Sequence, residues 1–317
     1  MSRITSLATR AAAVGTALAA LCGVGIGTAQ AETTPAKTYP VGGVLTALRN
    51  YALTPGQVAG ANDWSCKPSK EHPNPVVLAH GTFFNLGSNW AAIAPTLANQ
   101  GYCVYALNYG MDPVISLNRI GGLTATEESG RQLQTFVDKV LASTGARKVD
   151  VVGHSQGGVL ANYYIKRLGG AAKVRTYIGM APNNHGTTFS GLSTLADKLG
   201  VLGLVRGVLD LARMPGVKDQ LNDSDFIKDL SSDPDTVPGV RYAVIATRYD
   251  KVVTPYQSQF LDGPGVENIT IQDQCPSDPV GHIGLFNDGP TIQNVLNILG
   301  PDKADFQPDC EDYGLPL

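Results

Sequence analysis

Cysteine is scarce in this chain, and no pair of cysteines has the spacing of a metal site. The 317 residues include five, at positions 22, 66, 103, 275 and 310. None stands in a CxxC arrangement, and no histidine lies near them at ligand-like spacing, which argues against the common structural zinc domains. We expect neither a metal ion nor any other cofactor.

Charge is also sparse and nearly balanced between the two signs. Lys and Arg number 24 against 27 Asp and Glu, which leaves a formal net charge of -3 over the full chain. The sequence contains no block of like charge, no heptad pattern and no internal repeat. A chain of this kind lacks the basic surface that polyanions require, so no nucleic-acid partner is expected.

No apolar run is long enough to form a stable membrane span. The candidate at residues 11–27 is rich in Ala and Gly, falls short of the ~20 residues of a spanning helix and is followed by no basic stop signal. Arg3 and Arg10 precede it, and a small-residue cleavage site, Ala-Gln-Ala, follows at 29–31. These are the parts of an export signal, so we predict a signal peptide over residues 1–31 and a secreted, extracellular protein.

Removal of that peptide takes Cys22 with it and leaves an even number of cysteines in a chain sent to an oxidising compartment. Two disulfides are therefore expected, and four cysteines allow three pairings. Cys66 with Cys103 and Cys275 with Cys310 are favoured, because each pair joins neighbouring segments and closes a short loop.

Short apolar runs alternate with helical patterns over residues 32–317, which we expect to form a single domain. The runs lie at residues 75–79, 103–107, 149–152, 174–178, 242–246 and 268–271. Between them, Ser88 is expected to cap one helix, and a capping box of Thr124 with Glu127 is expected to begin a longer one. Such alternation indicates an α/β fold with a doubly wound, mostly parallel sheet of about six strands flanked by helices.

One stretch interrupts this alternation. Residues 189–237 contain many leucines and valines where the next strand is expected. We interpret them as an inserted helical lid or cap. A lid that opens on a lipid surface would favour long acyl chains, whereas an ordinary buried helix pair fits the pattern equally well.

A GHSQG sequence at residues 153–157 matches the GxSxG motif. It stands between an apolar strand and an amphipathic helix, which is the position that the motif requires. The strand turns into the helix so sharply that side chains at the two glycine positions would collide with the backbone, and the serine is held on a strained turn. Ser155 is therefore the candidate nucleophile.

A serine nucleophile needs a base within hydrogen-bond reach and a carboxylate that orients the base. The chain order in this kind of fold is serine, acid, histidine. His282 is the predicted base, because it leaves room for an acid and the remaining strands after Ser155. Asp250 follows the fifth apolar run and is the predicted acid, with Asp262 and Asp273 as less well placed alternatives.

Acyl transfer also needs backbone N–H groups that face the developing oxyanion. The amide of Gln156 directly follows the nucleophile, and the amide of Thr82 follows the His-Gly pair at the end of the first strand. These two are the predicted oxyanion-hole donors. His80 is expected to brace that loop, and His154 is expected to point away from Ser155 and pack in the interior.

Several segments together resemble the α/β-hydrolase superfamily, in particular the secreted actinobacterial class 2 triacylglycerol lipases and esterases. They are HGTFFN at 80–85, GHSQGG at 153–158, APNNHGT at 181–187 and the loops of Asp250 and His282. The resemblance implies the α/β-hydrolase fold and hydrolysis of carboxylic esters through an acyl-enzyme. Some relatives bind a structural calcium ion near the histidine loop, but no convincing acidic ligand set is present here, so no metal is predicted.

The predicted function is that of a secreted serine ester hydrolase, most simply a triacylglycerol lipase. We expect a monomer that acts on an ester or lipid, at a lipid–water interface where the substrate is insoluble. A short-chain or polyester-degrading, cutinase-like esterase and an acyltransferase would use the same acyl-enzyme and stay open as alternatives. Outside enzymes, the alternative is a catalytically inactive hydrolase fold that serves as a binding module, although such proteins usually lack one of the three predicted catalytic residues.

Overall fold

Six parallel strands form one sheet in the order β2-β1-β3-β4-β5-β6 in the part of the chain that the structure describes. The computed structural model describes residues 37–187, 214–301, 303 and 305–317. The strands are β1 (Val76–Ala79), β2 (Val104–Leu107), β3 (Val149–His154), β4 (Val174–Met180), β5 (Arg241–Ala246) and β6 (Glu267–Thr270). The predicted α/β fold with a parallel sheet of about six strands is confirmed.

Helices cover both faces of this sheet. The α-helices are α1 (Val44–Leu53), α2 (Leu86–Asn89), α3 (Ile93–Asn99), α4 (Thr126–Thr144), α5 (Gln156–Arg167), α6 (Pro215–Lys218), α7 (Asp225–Leu230), α8 (Ile271–Gln274) and α9 (Gly289–Leu299). Side chains of α3 and α9 pack on one face, and side chains of α4 and α5 pack on the other. None of the described helices is both long and apolar enough to cross a membrane.

Strand β1 is apolar throughout because both of its faces are covered. In β1, Val76 and Leu78 contact the cluster under α3 and α9, whereas Val77 and Ala79 contact the cluster under α4 and α5. All four side chains are fully buried. Successive side chains of a strand point to opposite faces, so both rows of side chains in β1 face a helical layer. This is why the sequence shows continuous apolar runs and not alternation.

The helix that was expected to start at Ser88 begins earlier. Asn85 is the N-cap of α2, and its side chain accepts a hydrogen bond from the backbone N–H of Ser88 at 3.0 Å. The Ser88 hydroxyl lies 3.3 Å from the Asn85 nitrogen and completes the capping box. Ser88 is thus the third residue of a short helix, and the prediction that it is the cap is wrong.

The capping box predicted for the long helix does not form. α4 begins at Thr126 after Ala125, which has no side-chain cap. The carboxylate of Asp219 accepts the Thr126 N–H at 2.8 Å, from a segment more than 90 residues away. A tertiary contact therefore takes the place of the local cap that Thr124 and Glu127 were expected to supply.

Part of the predicted insertion packs firmly on the domain. Residues 214–237 contain α6 and α7, and Phe226, Ile227 and Leu230 of α7 form a buried cluster with Val159 of α5. The rest of the insertion, residues 189–213, and the predicted signal peptide lie outside the described residues. A lid and a single domain over residues 32–317 stay predictions.

Two disulfides join neighbouring segments. Cys66 is bonded to Cys103, just before β2, and Cys275, just after α8, is bonded to Cys310 near the end of the chain. These are the two pairings that the sequence favours. The first lies at the amino-terminal end of the sheet, and the second lies beside the loop that carries His282.

Candidate active site

Ser155 occupies a strained turn between β3 and α5. Its backbone has φ 53° and ψ -121°, a conformation that residues other than glycine rarely adopt. Two hydrogen bonds hold the turn: the Ser155 N–H donates to the Met180 carbonyl at 2.8 Å, and the Gly158 N–H donates to the Ser155 carbonyl at 2.9 Å. The strain is maintained because the neighbouring strand β4 and the first turn of α5 fix both sides of the residue.

The two glycines of the motif allow this turn to lie against its neighbours. A Cβ atom on Gly153 would lie 2.3 Å from the Gly157 carbonyl oxygen, and one on Gly157 would lie 2.0 Å from the Ala79 carbonyl oxygen. Both obstacles are backbone atoms, which cannot swing aside as a side chain can. The motif thus brings the start of α5 into direct contact with the end of β1.

A hydrogen-bonded row runs from Ser155 through His282 to Asp250. His282 Nε2 lies 2.9 Å from Ser155 Oγ, and His282 Nδ1 lies 2.7 Å from Asp250 Oδ2. The exposed fractions of the three residues are 3, 1 and 6%, so water does not compete for these contacts. With Nδ1–H donating to the carboxylate, Nε2 is left to accept the serine proton, which is the tautomer that a general base requires.

Asp250 is itself held in place by three donors. The N–H groups of Val252 and Val253 donate to Oδ1 at 2.7 and 2.8 Å, and Gln259 Nε2 donates to Oδ2 at 2.8 Å. The carboxylate therefore faces His282 in one fixed orientation.

The two alternative acids lie elsewhere. Asp273 is exposed and forms an ion pair with Arg248, and Asp262 is exposed on the segment before β6. Arg248 thus pairs with Asp273 and not with Asp250. Of the three aspartates considered from the sequence, Asp250 is the one that contacts His282.

Thr82 and Gln156 stand at the ends of neighbouring strands, and their side chains are tied to other segments. The Thr82 hydroxyl donates to Gln220 Oε1 at 3.1 Å, while Gln156 Nε2 donates to the carbonyls of Gly122 and Gly216 at 3.0 and 2.9 Å. Within the described part of the chain, neither backbone N–H of Thr82 and Gln156 has an acceptor. Both amides are therefore available to a substrate oxygen.

His80 braces the loop that carries Thr82. Its ring stacks on Tyr109 with 4.3 Å between the ring centres, its Nε2 accepts from the Tyr109 N–H at 3.4 Å, and its Nδ1 lies 2.9 Å from the Gly81 carbonyl oxygen. Burial lowers the pKa of His80 to about 4. The ring is thus neutral at pH 7, with Nδ1–H as donor, in agreement with the bracing role expected from the sequence.

His154 does more than pack in the interior. Its Nδ1 lies 3.0 Å from Asn89 Oδ1, and its Nε2 lies 3.0 Å from the carbonyl oxygen of His282. Asn89 Oδ1 also accepts the Gly81 N–H at 2.8 Å. Burial, with a smaller effect of His282, lowers the pKa of His154 to about 3. A neutral ring carries one N–H and can donate to only one of these two oxygens, so His154 packs between Asn89 and the loop of His282.

Gln259 and Asn89 are site residues that sequence reasoning missed. Gln259 reaches Asp250, and its backbone carbonyl accepts from Asn184 Nδ2 at 2.7 Å. Asn184 belongs to the APNNHGT segment at 181–187, which the resemblance alone had marked. That segment was the signal in the sequence that could have led to Gln259. Asn184 holds the backbone of Gln259 and so stabilises the loop of Asp250 indirectly.

An apolar cavity of about 260 Å³ adjoins the site. Its walls include Phe83, which follows Thr82, and Ile283, which follows His282. Helix α1 and the last residues of the chain form the other side. Among the described residues, no group of three or more His, Cys, Asp and Glu is arranged to hold a metal ion.

Most of the chain matches a known protein family. Residues 73–294, which are most of the sequence and contain the whole row from Ser155 to His282, match the family described as Lipase (class 2). The chain belongs to the class 2 lipases. Curated relatives of this class 2 lipase match it over shorter segments, and it spans about a quarter to a third of their length.

Three relatives illustrate the extent of the similarity. A triacylglycerol lipase of Pseudarthrobacter phenanthrenivorans is 36% identical over 94 residues, which are 28% of this chain and 27% of the relative. One of Burkholderia plantarii is also 36% identical over 94 residues, 28% of this chain and 24% of the relative. One of Vibrio cholerae is 31% identical over 139 residues, 43% of this chain and 36% of the relative.

Solved structures share the fold at low sequence identity. Aspergillus fumigatus lipase B superposes with a TM-score of 0.60 and 19% identity over 78% of this chain and 57% of that one. A Bacillus licheniformis lipase in its mature form superposes with a TM-score of 0.54 and 16% identity over 74% of this chain and 94% of that one. The sheet and its flanking helices are those of the α/β-hydrolase fold.

Two buried carboxyl groups stand at the ends of the His282 loop of this class 2 lipase. Asp278 Oδ1 accepts the Val280 N–H at 2.8 Å, whereas Asp278 Oδ2 has no donor among the described residues and lies beside the carboxyl group of Asp288. Burial, together with the Asp288 charge, raises the pKa of Asp278 to about 7. A proton on Asp278 lets it donate to Asp288 and removes the repulsion between the two groups.

Replacement of Gly157 tests the contact between the turn and β1. Gly157→Ala should lower the free energy of unfolding by about 3 kcal/mol, because the added methyl group overlaps the backbone of Ala79. Gly56→Ala is the matched control, since a Cβ there meets nothing within 4 Å, and its effect should stay within about 0.5 kcal/mol. Urea unfolding measures both variants, and equal midpoints would contradict the packing argument.

The Asp278 pair predicts a pH dependence of stability. The folded protein keeps a proton on Asp278 that the unfolded chain releases above its ordinary pKa of 3.8. This group therefore stabilises the fold fully at low pH, and its contribution is lost as the pH rises through about 7. In Asp278→Asn the amide replaces the protonated carboxyl at every pH.

Between about pH 5 and about pH 7, the wild type should lose stability as the pH rises, whereas Asp278→Asn should not. The difference between their free energies of unfolding should therefore change in favour of Asp278→Asn by up to about 1.4 kcal/mol per pH unit. Chemical denaturation at a series of pH values provides the measurement. The control is Asp262→Asn, at an exposed carboxyl. If the curves of wild type and Asp278→Asn run parallel over this range, the shared proton is ruled out.

Proposed function

We propose that this chain is a secreted serine ester hydrolase that acts as a triacylglycerol lipase through an acyl-enzyme on Ser155. The observation that carries the proposal is the buried row from Ser155 Oγ through His282 to Asp250 Oδ2, with contacts of 2.9 and 2.7 Å. Membership of the class 2 lipases supports the same chemistry.

In the first half of the reaction, Ser155 Oγ attacks the carbonyl carbon of the ester and His282 Nε2 takes the hydroxyl proton. Asp250 accepts from Nδ1–H and stabilises the imidazolium that forms. The oxyanion of the tetrahedral intermediate accepts from the N–H groups of Thr82 and Gln156, and such donors contribute roughly 3 kcal/mol each in well-studied cases. The intermediate then collapses, and the alcohol leaves with the proton from His282.

In the second half, a water molecule attacks the acyl-enzyme. His282 removes a proton from this water, the same two N–H groups hold the second oxyanion, and the carboxylic acid leaves as Ser155 regains its proton. The net reaction is ester plus water to alcohol plus acid. If an alcohol replaces the water, the same steps amount to acyl transfer.

The surface beside the site supports a lipid as the substrate. Large apolar side chains are exposed on α1, with Leu45 at 83%, Leu48 at 63% and Leu53 at 71%. Val114 and Leu117, on the segment after β2, are also exposed. Leu48 also lines the apolar cavity, and exposed apolar groups at such a cavity are typical of proteins that contact lipid. The matched relatives are named triacylglycerol lipases.

Secretion is part of the proposal. The export signal predicted at residues 1–31 and the two disulfides support passage into an oxidising compartment. The actinobacterial kinship implied by the motifs belongs to the same proposal, and so does action as a monomer.

Hydrolysis of p-nitrophenyl esters from C2 to C16 by the purified chain tests the proposal, with Ser155→Ala assayed in parallel. Long-chain turnover should be lost in the variant by a factor on the order of 10⁶, as for other triads that lack the serine. Turnover confined to short chains would make the protein an esterase. Absence of Ser155-dependent turnover on every ester would favour the binding module.

Substitution of the three aspartates tests the acid. Asp250→Asn should lower kcat by about 10⁴-fold, because the amide no longer favours the required tautomer of His282. Asp262→Asn and Asp273→Asn should keep kcat within about 2-fold, as expected for exposed side chains away from the row. Full activity of Asp250→Asn with loss in either of the other two would refute the assignment.

A further inference from the structure

The last residues of the chain run beside the loop that carries His282. The Gly281 N–H donates to the Leu315 carbonyl at 2.9 Å, and the Ile283 N–H donates to the Leu317 carbonyl at 2.7 Å. Both neighbours of His282 are therefore fixed through their backbone by residues 314–317, which we call the tail. On the other side, His154 Nε2 lies 3.0 Å from the carbonyl oxygen of His282.

The tail lies so close to the loop that only glycine fits between them. A Cβ on Gly281 would lie 2.5 Å from the Leu317 oxygen, and one on Gly284 would lie 2.1 Å from the Leu315 oxygen. The reverse holds for Gly314, where a Cβ would lie 2.3 Å from the Gly284 oxygen. The glycines on both sides of His282 thus serve contact with the tail.

Two anchors hold the tail in this position. The Cys275–Cys310 disulfide ties the segment that leads into the tail to the segment that precedes the loop. Asp288, which is fully buried, accepts the Gly314 N–H at 2.9 Å through Oδ1 and caps α9 through Oδ2. The tail is therefore fixed both before and at its first residue.

We propose that residues 314–317 are a positioning element for His282 and that the Cys275–Cys310 disulfide keeps this element in place, so that turnover depends on the disulfide beyond its contribution to stability. The proposal rests on the function proposed above. The physical reason is that His282 must meet Ser155 and Asp250 at hydrogen-bond distance at once, and a displacement of about 1 Å in such a row lowers the rate by as much as about 10²-fold.

The two disulfides provide a matched pair of variants. They close loops of nearly equal length, with sequence separations of 35 and 37 residues, so their removal should destabilise the chain to a similar extent. Only Cys275–Cys310 holds the tail. The variants to compare in the full chain are Cys275→Ala with Cys310→Ala, and Cys66→Ala with Cys103→Ala.

The measurement is kcat and KM for p-nitrophenyl butyrate, at a temperature where circular dichroism shows both double variants to be folded. Loss of Cys275–Cys310 should lower kcat by about 10- to 100-fold and leave KM within about 2-fold, because the row is displaced while the substrate surface is kept. Loss of Cys66–Cys103 should leave kcat within about 2-fold. Equal changes in both variants, or no change in the first, would overturn the proposal.

Gly284→Ala gives a second measurement that keeps both disulfides. Its methyl group should push the Leu315 backbone away and lower kcat in the same way, whereas Gly56→Ala should not. If the Cys275 and Cys310 double variant fails to fold, the comparison of Gly284→Ala with Gly56→Ala tests the proposal in its place. If the activity of Gly284→Ala falls only in proportion to the fraction of folded protein, the proposal is also overturned.

The proton between His282 and Asp250 gives a readout that needs no turnover. Its downfield proton NMR signal should be sharp in the wild type and in the Cys66 and Cys103 variant, and broadened or lost in the Cys275 and Cys310 variant. An unchanged signal there would overturn the positioning role. A wild type without ester hydrolysis would remove the proposed function instead, and the NMR comparison would still decide the role of the tail.

Discussion

The arrangement of the active site depends on one contact, the 2.9 Å between His282 Nε2 and Ser155 Oγ. Its two partners are 127 residues apart in the chain. They meet because Ser155 follows β3, Asp250 follows β5 and His282 follows β6, and parallel strands bring their carboxyl ends to one edge of the sheet. The apolar layers on both faces keep that edge rigid, so the loops need only short hydrogen bonds to hold the side chains in register.

Buried polar groups supply those short bonds, and most of them are neutral. His80 and His154 have lowered pKa values because burial disfavours their charged forms. As neutral rings they pack in the interior without adding charge beside His282, whose conversion to an imidazolium is the charge change that the proposed reaction needs. Gln156 and Gln259 also form hydrogen bonds through uncharged side-chain amides, Gln156 to two backbone carbonyls and Gln259 to Asp250. Neutral dipoles thus stabilise the site, and the carboxylate of Asp250 is the charged partner of His282.

The sheet and the row of three residues both have signals in the sequence. Apolar runs and the glycines around Ser155 are readable within a few residues, and the order of serine, acid and histidine is readable along the chain. Contacts between distant segments leave no such signal. Asp219 supplies the N-terminal partner of α4 from far away, so the local box at Thr124 was predicted in error. Gln259 contacts the site through one side-chain amide, and the tail contacts it through backbone atoms, which any sequence can provide.

Labelling of Ser155 by a fluorophosphonate, followed by mass spectrometry of the peptides, tests whether His282 makes this serine nucleophilic. The reagent reacts with a serine only when a neighbouring base has made it nucleophilic, and it requires no knowledge of the substrate. One label per chain is expected, on Ser155, with a large fall in the labelling rate in His282→Ala. A label on another serine, or a rate on Ser155 that does not change when His282 is replaced, would contradict this expectation.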